Sequence, residues 1–177
     1  VVIADRNLEG GLDQAAQLGE HARAIRCDVT DPLDVKLMME TAELHFGRLD
    51  ILVNNAGVTH LPQPLEEVSE DDFDRIVAVN MKAIYLAMRE VVPRFKAQKS
   101  GVVLNMTSTA GVSPRPRLGW YNASKGWVIT ATRANAVELA PFGIRVVALN
   151  PVAGETPMLK TFMGEDTPEI RAKFLSS

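Results

Sequence analysis

Gly101-Val-Val-Leu-Asn-Met106 runs straight into Thr107-Ser108, and thirteen residues after Ser108 comes Tyr121-Asn-Ala-Ser-Lys125, early in a long helical stretch. The first segment, rich in Val and Leu and bounded by glycine and by Thr-Ser, reads as a buried strand. Leu118 to Ala140 reads as the helix that follows it. A strand feeding a helix of that length is part of a βαβ unit, the element from which parallel sheets with helices on both faces are built. Open parallel sheets bind ligands at the carboxyl edge of their strands, which puts Ser108 beside the start of the helix that carries Tyr121. A Tyr and a Lys four residues apart share one helix face. The ammonium can then stabilise the phenolate and bring a phenol with an ordinary pKa of about 10 into use as an acid or base.

The same alternation extends in both directions. Val1 to Asp5 reads as a strand, Leu8 to Leu18 as a helix weakened by Gly10-Gly11, and Ala22 to Arg26 as a second strand. Pro32 to Phe46 reads as a helix capped by Asp31, with Pro32 in its first turn and Leu33, Leu37 and Leu44 on its buried side. Leu49 to Val53 reads as a buried strand, and after the loop at Leu61-Pro-Gln-Pro64 a capping box at Ser69-Glu-Asp-Asp72 opens a helical region reaching Gln98, its apolar run interrupted by Asn80. Ile144 to Leu149 is the last clear strand, and Thr156 to Ser177 suggests two short helices, the second starting after Pro168. The fold class expected is α/β: a doubly wound, Rossmann-like parallel sheet in three layers, spanning residues 1–177 as one domain.

Composition narrows the partners. The 177 residues are 46% hydrophobic, enough for one good core, and the net charge of −3 with scattered Lys and Arg argues against a nucleic-acid surface. One cysteine, Cys27, cannot form an internal disulfide, and neither a leader-like segment nor a membrane-length apolar run is present, so a cytoplasmic setting is the expectation. His21, His45 and His60 have no ligand spacing, which predicts surface or loop residues and no metal site. Cys27 reads as a core filler.

Together, Asn54-Asn-Ala-Gly57 after a strand, Val79-Asn80, Ser108, Tyr121 with Lys125, and Asn150-Pro151 leading to Thr156 resemble the short-chain dehydrogenase/reductase family, close to the 3-oxoacyl-carrier-protein reductase type. The resemblance implies a hydride-transferring oxidoreductase that uses NAD, with NADP as the other candidate, and a small-molecule alcohol or carbonyl substrate. It implies a catalytic set of Asn80, Ser108, Tyr121 and Lys125. Ser108 would donate to the carbonyl oxygen, Tyr121 would exchange its proton, Lys125 would also hold the nicotinamide ribose, and Asn80 would break its helix and order a relay water. The cofactor would be met by Asp5, Asp28, Val29, Asn54, Ala56, Gly57, Tyr121, Lys125, Pro151 and Thr156. Asp5 ends the first strand, where an acid binds the ribose 2′-hydroxyl and opposes a 2′-phosphate, favouring NAD; Arg6 beside it pulls the other way. The pair of helices bearing Tyr85 and Met88, and Trp127, Ala131 and Ala134, would build a homo-oligomer, a dimer or tetramer.

Two departures qualify the resemblance. Pro151-Val152 stands where the family has Pro-Gly, with the glycine displaced to Gly154, which suggests a differently shaped nicotinamide loop. The family's first strand and Gly-rich phosphate loop are absent from these residues, as is a last strand, so the expectation is a polypeptide longer at both ends. Without that first strand, the sheet should split and leave two orphaned edges. Substrate choice should rest on Thr109 to Trp120, on His60, and on the segment after Thr156; Arg115 and Arg117 suggest an anionic group such as carboxylate or sulfonate. Two other classes share parts of this pattern: sugar-nucleotide epimerases or dehydratases, which need a substantial C-terminal substrate domain, and a non-catalytic NAD(P)-binding regulator, which has no need of an intact Ser-Tyr-Lys set.

Overall fold

A computed structural model of the chain describes residues 1–152, 154, 156–163, 167–169 and 172. Among these residues five strands, all parallel to their neighbours, alternate with helices: β1 (Val2–Asp5), α1 (Leu8–Leu18), β2 (Arg23–Arg26), α2 (Pro32–Phe46), β3 (Ile51–Asn54), α3 (Glu70–Ile76), α4 (Ala83–Gln98), β4 (Gly101–Met106), α5 (Gly119–Leu139), β5 (Ile144–Leu149) and α6 (Pro157–Met163). This is the Rossmann-like α/β architecture. Among the described residues the strands form two sheets, β1-β2 and β3-β4-β5. An apolar cavity of about 690 Å³ is lined by both β1 and β3, with Met39 of α2 and Ile84 of α4. The expected split of the sheet is therefore what the backbone adopts. The second tail helix falls largely on residues outside those described.

Local chemistry explains the boundaries. Asp31 Oδ1 accepts from Leu33 N at 2.8 Å, and Ser69 Oγ accepts from Asp72 N at 3.2 Å, so both anticipated caps are made. Helix α2 ends where Gly47 adopts φ 78°, a left-handed cap that suits glycine. Between α3 and α4, Val77–Lys82 forms a π-helical segment centred on Asn80, so the region from Glu70 to Gln98 is one helical run with a bulge. Such bulges concentrate at functional sites.

The main core joins Val35 and Met39 of α2, Leu52 of β3, Leu86, Val91 and Phe95 of α4, Val103 of β4, and Ile144 and Val146 of β5. A buried polar thread runs beside it. Asn54 Nδ2 donates to Asn105 Oδ1 at 2.8 Å, and Asn105 Nδ2 donates to Thr132 Oγ1 at 2.9 Å, tying β3 to β4 and β4 to α5.

Two expectations need correction. Leu33, Leu37 and Leu44 are 74%, 51% and 81% exposed; the buried stripe of α2 is Val35, Met39 and Ala42. The helix is apolar on two sides, and the side that packs into the core with Leu52, Leu86 and Val91 is the one that carries Val35 and Met39. Strand β3 is not buried throughout: Leu52 packs into the core, while Ile51 and Val53, on the opposite face of the strand, are about half exposed. Among the described residues no helix is long and apolar enough to cross a membrane, and no His, Cys, Asp or Glu group could hold a metal ion.

Candidate active site

Strand β4 delivers Ser108 to the carboxyl edge of its sheet, where it caps the turn Thr109–Gly111: Ser108 Oγ accepts from Ala110 N at 3.1 Å and lies 3.5 Å from Pro151 O. Tyr121 sits in the first turn of α5 and Lys125 one turn on, both almost wholly buried. Lys125 Nζ donates to Met106 O at 2.9 Å and lies 5.8 Å from the centre of the Tyr121 ring. The π-helical segment turns Asn80 toward the same place. Its Nδ2 donates to Val58 O and to Ser124 Oγ, and its Oδ1 accepts from Val58 N, each at 2.9 Å. Asn80 therefore pairs with both backbone groups of Val58, as a strand neighbour would, and holds the loop after β3 against α5.

Burial governs the electrostatics of this group. It pushes the Lys125 ammonium down to about 8 and the Tyr121 phenol up from its ordinary value near 10, while the Ser108 hydroxyl beside the phenol pulls it partly back. The expectation that the lysine charge would lower the phenol is not met in this arrangement. Desolvation dominates the phenol, and Lys125 Nζ stands 5.8 Å from the centre of its ring.

Ser108, Tyr121 and Lys125 stand at one end of a cleft of about 600 Å³, and Asn80 is buried behind its wall. Asp5, Arg6, Asp28 and Val29 line the other end, with Ala56 and Gly57 between, and Pro151, Thr156, Met158 and Phe162 beside Tyr121. Asp5 Oδ1 accepts from Asn7 N at 2.8 Å, which fixes its carboxylate. Asp28 Oδ1 accepts from Thr30 N and Thr30 Oγ1 at 2.9 and 2.7 Å, bonds that hold this carboxyl below its ordinary range. Gly57 leaves room that a side chain would take: a Cβ there would stand 3.4 Å from Lys125 Nζ and 3.6 Å from Asn80 Oδ1. The cleft thus brings the strand-end acids Asp5 and Asp28 and the Ser108, Tyr121 and Lys125 group to one lining, residues that could hold a dinucleotide.

Of the residues singled out in the sequence, Asn54 alone turns its side chain into the sheet, where it bonds to Asn105. Arg115 and Arg117 do not line the cleft. Their loop is anchored beside it, since Asn122 Nδ2 donates to Arg115 O at 2.7 Å and Gln63 N donates to Arg117 O at 3.1 Å. His60 is in a loop as expected but is buried, with Nδ1 on Leu61 O. Cys27 is buried at the cleft wall, and burial pushes its thiol up to about 11, so it is inert filler. Val58, Met106 and Thr107 were missed as lining residues; Thr107, a polar residue on the strand end before Ser108, carried the one readable signal.

A family model described as short chain dehydrogenase matches residues 1–166. The chain belongs to the short-chain dehydrogenase family. It is accordingly a nicotinamide-dependent oxidoreductase. Among curated members, 4-formylbenzenesulfonate dehydrogenase of Comamonas testosteroni is 44% identical over 99% of this chain and 71% of its own length. The 2-(R)-hydroxypropyl-CoM dehydrogenase of Xanthobacter autotrophicus is 36% identical over 93% of this chain and 68% of its own. The crystal structure of a 3-ketoacyl-(acyl-carrier-protein) reductase from Brucella melitensis complexed with NADH superposes with a TM-score of 0.90 at 50% identity, covering 93% of this chain and 69% of that one. This short-chain dehydrogenase thus shares its backbone closely with a member of the type its motifs resemble.

Proposed function

We propose that the chain interconverts an alcohol and its carbonyl with Tyr121 as the acid-base group, Ser108 as the donor that grips the carbonyl oxygen, and Lys125 and Asn80 as their support. The convergence of Ser108, Tyr121 and Lys125 on one dinucleotide-sized cleft, with Asn80 bonded to Ser124 and Val58 behind them, carries the reading. The nicotinamide cofactor, when bound, supplies or accepts the hydride. In reduction the Tyr121 hydroxyl gives its proton to the carbonyl oxygen; in oxidation it takes the proton back. Lys125, with its ammonium near 8, is able to restore that proton at physiological pH. Asp5, fixed by Asn7 N, supports NAD over NADP.

For the substrate, Phe162 packs edge-on against Tyr121, ring centres 5.1 Å apart, and with Met158 and Val152 gives the cleft an apolar wall beside the phenol. That wall suits an aromatic aldehyde or alcohol, and the nearby Arg115 and Arg117 loop suits an anionic substituent on its far end; the relative that acts on 4-formylbenzenesulfonate supports both. The test follows nicotinamide absorbance in the full chain with NAD or NADP against benzaldehyde, 4-formylbenzoate, 4-formylbenzenesulfonate and their alcohols. NAD-linked turnover with the anionic members favoured is expected. Arg117→Ala should raise KM about 10-fold for the anionic members and leave benzaldehyde unchanged, and Phe162→Ala should raise KM for all the aromatic substrates. Equal efficiency with charged and neutral rings would remove the anionic part of the proposal.

The half-exposed Tyr85 and Trp127, with Val137 at 78% exposure, supply an apolar face on α4 and α5 that supports a homo-oligomer. Light scattering that returned the mass of a single chain at micromolar concentration would rule this out.

A further inference from the structure

We propose that Thr107 and Gly111 are positioning residues that lock the turn carrying Ser108 onto the backbone of α5 at Lys125 and Gly126, and so set the spacing between the serine hydroxyl and the Tyr121 phenol. The inference rests on the acid-base reading above and assigns what holds that site in register.

Besides the Lys125 Nζ bond to Met106 O, three contacts fasten β4 and its turn to α5, in order along the chain. Asn105 Nδ2 bonds to Thr132 Oγ1, and Thr107 Oγ1 donates to Lys125 O at 3.1 Å, inside a buried environment. The third contact is made without a side chain. A Cβ on Gly111 would stand 2.7 Å from the Lys125 carbonyl carbon, 2.8 Å from Gly126 N and 2.9 Å from Ile129 Cδ1. Backbone lies in the way, so the turn would have to lift off the helix to admit even a methyl group. Glycine is needed here for close approach, not for conformation, since the glycines with positive φ are Gly19, Gly47 and Gly143. On the other side, a Cβ on Gly126 would meet only Gly111 O at an ordinary 3.5 Å, so the tight fit is a demand on Gly111.

The consequence for chemistry follows from the short lever. Ser108 caps the very turn that Gly111 ends, through Ala110 N to its own Oγ, and Lys125 lies one turn beyond Tyr121 on the same helix. Any lift of the turn moves the serine hydroxyl away from the phenol by a comparable distance. Misplacement on the scale of 1 Å is worth about 100-fold in rate.

The test compares Thr107→Val, Thr107→Ser, Gly111→Ala and Tyr121→Phe in the full chain. It reads kcat, KM, NADH affinity by fluorescence, and the pH profile of kcat. Thr107→Val should lower kcat about 10-fold and Gly111→Ala about 100-fold, with NADH affinity held within about 3-fold. Thr107→Ser, which keeps the hydroxyl, should restore the rate. Because the Ser108 hydroxyl pulls the phenol down, loosening it should move the phenol-dependent limb of the profile to higher pH, an effect that mere loss of stability does not produce. If Gly111→Ala does not fold, the Val and Ser pair at Thr107 decides alone. A Thr107→Val enzyme with wild-type kcat and profile, or one losing NADH affinity in step with kcat, overturns the proposal. If Tyr121→Phe itself keeps turnover, the acid-base reading fails instead; a dead Tyr121→Phe beside a fully active Thr107→Val refutes the clamp alone.

Discussion

Tyr121→Phe is expected to lower kcat about 1000-fold, within the range that a positioned general acid contributes, while NADH affinity stays within about 2-fold. The substitution removes one oxygen and keeps the ring. Tyr121 is 4% exposed, packs in a cluster with Ile76, Ala110 and Leu118, and meets Phe162 edge-on, and each of these contacts survives in phenylalanine. The hydroxyl's bond with Ser108 is lost, at a cost of about 1 kcal/mol, so the melting temperature should stay within a few degrees of wild type. A loss of turnover without loss of stability or cofactor binding separates catalysis from architecture. It also separates an enzyme from a regulator that only senses the cofactor, for which the hydroxyl would be dispensable. Turnover within 10-fold of wild type under single-turnover conditions would remove Tyr121 from the chemistry.

The elements around this site were legible because their signals are local. Beta-branched runs between turn residues gave β4 and β5 at their observed limits, and Asp31, Pro32 and Ser69 marked helix starts that the hydrogen bonds then made. Asn80 was readable as an interruption, but its pairing with Val58 was not, because a bond across 22 residues depends on where the loop after β3 comes to lie. The exposed leucines of α2 show the same limit. Two apolar stripes on one helix look alike in sequence, and only the partner surface decides which is buried. Phe162 on Tyr121, and Gly111 on the backbone of Lys125, are tertiary contacts with no periodicity to betray them. The direction in which the Tyr121 phenol moves was hidden for a related reason: spacing on a helix fixes which face a lysine shares, but not how deeply the phenol is buried, and burial is what raises it.

Lys125→Met should stabilise the fold at pH 7 while abolishing turnover, and the stabilisation should fade as the pH rises. The side chain is 5% exposed, and burial alone pushes the ammonium from 10.5 down to about 8. A charged form disfavoured to that extent costs the folded state on the order of 3 kcal/mol wherever the lysine is protonated. The sign follows from proton counting: between pH 8 and 10.5 the unfolded chain holds more protons at this site than the folded one, so the cost is complete below pH 8 and gone above 10.5. Methionine keeps the length and apolar stem without the charge, at the loss of a donor to Met106 O worth about 1 kcal/mol. The net gain at pH 7 is then on the order of 2 kcal/mol, or a rise in Tm of roughly 4–8 °C for a chain of this size. The Tyr121 phenol, raised by burial, acts in the opposite sense above pH 10, but it is present in both proteins and largely drops out of their difference. Denaturant melts at pH 7 and pH 10 would show it: a gap between variant and wild type that does not narrow with pH, or a variant less stable at pH 7, would mean the ammonium is well compensated where it lies. A gap that narrows would mean that the chain tolerates a destabilising buried cation, and the one place where such a cation repays its cost is beside a phenol that must keep regaining its proton.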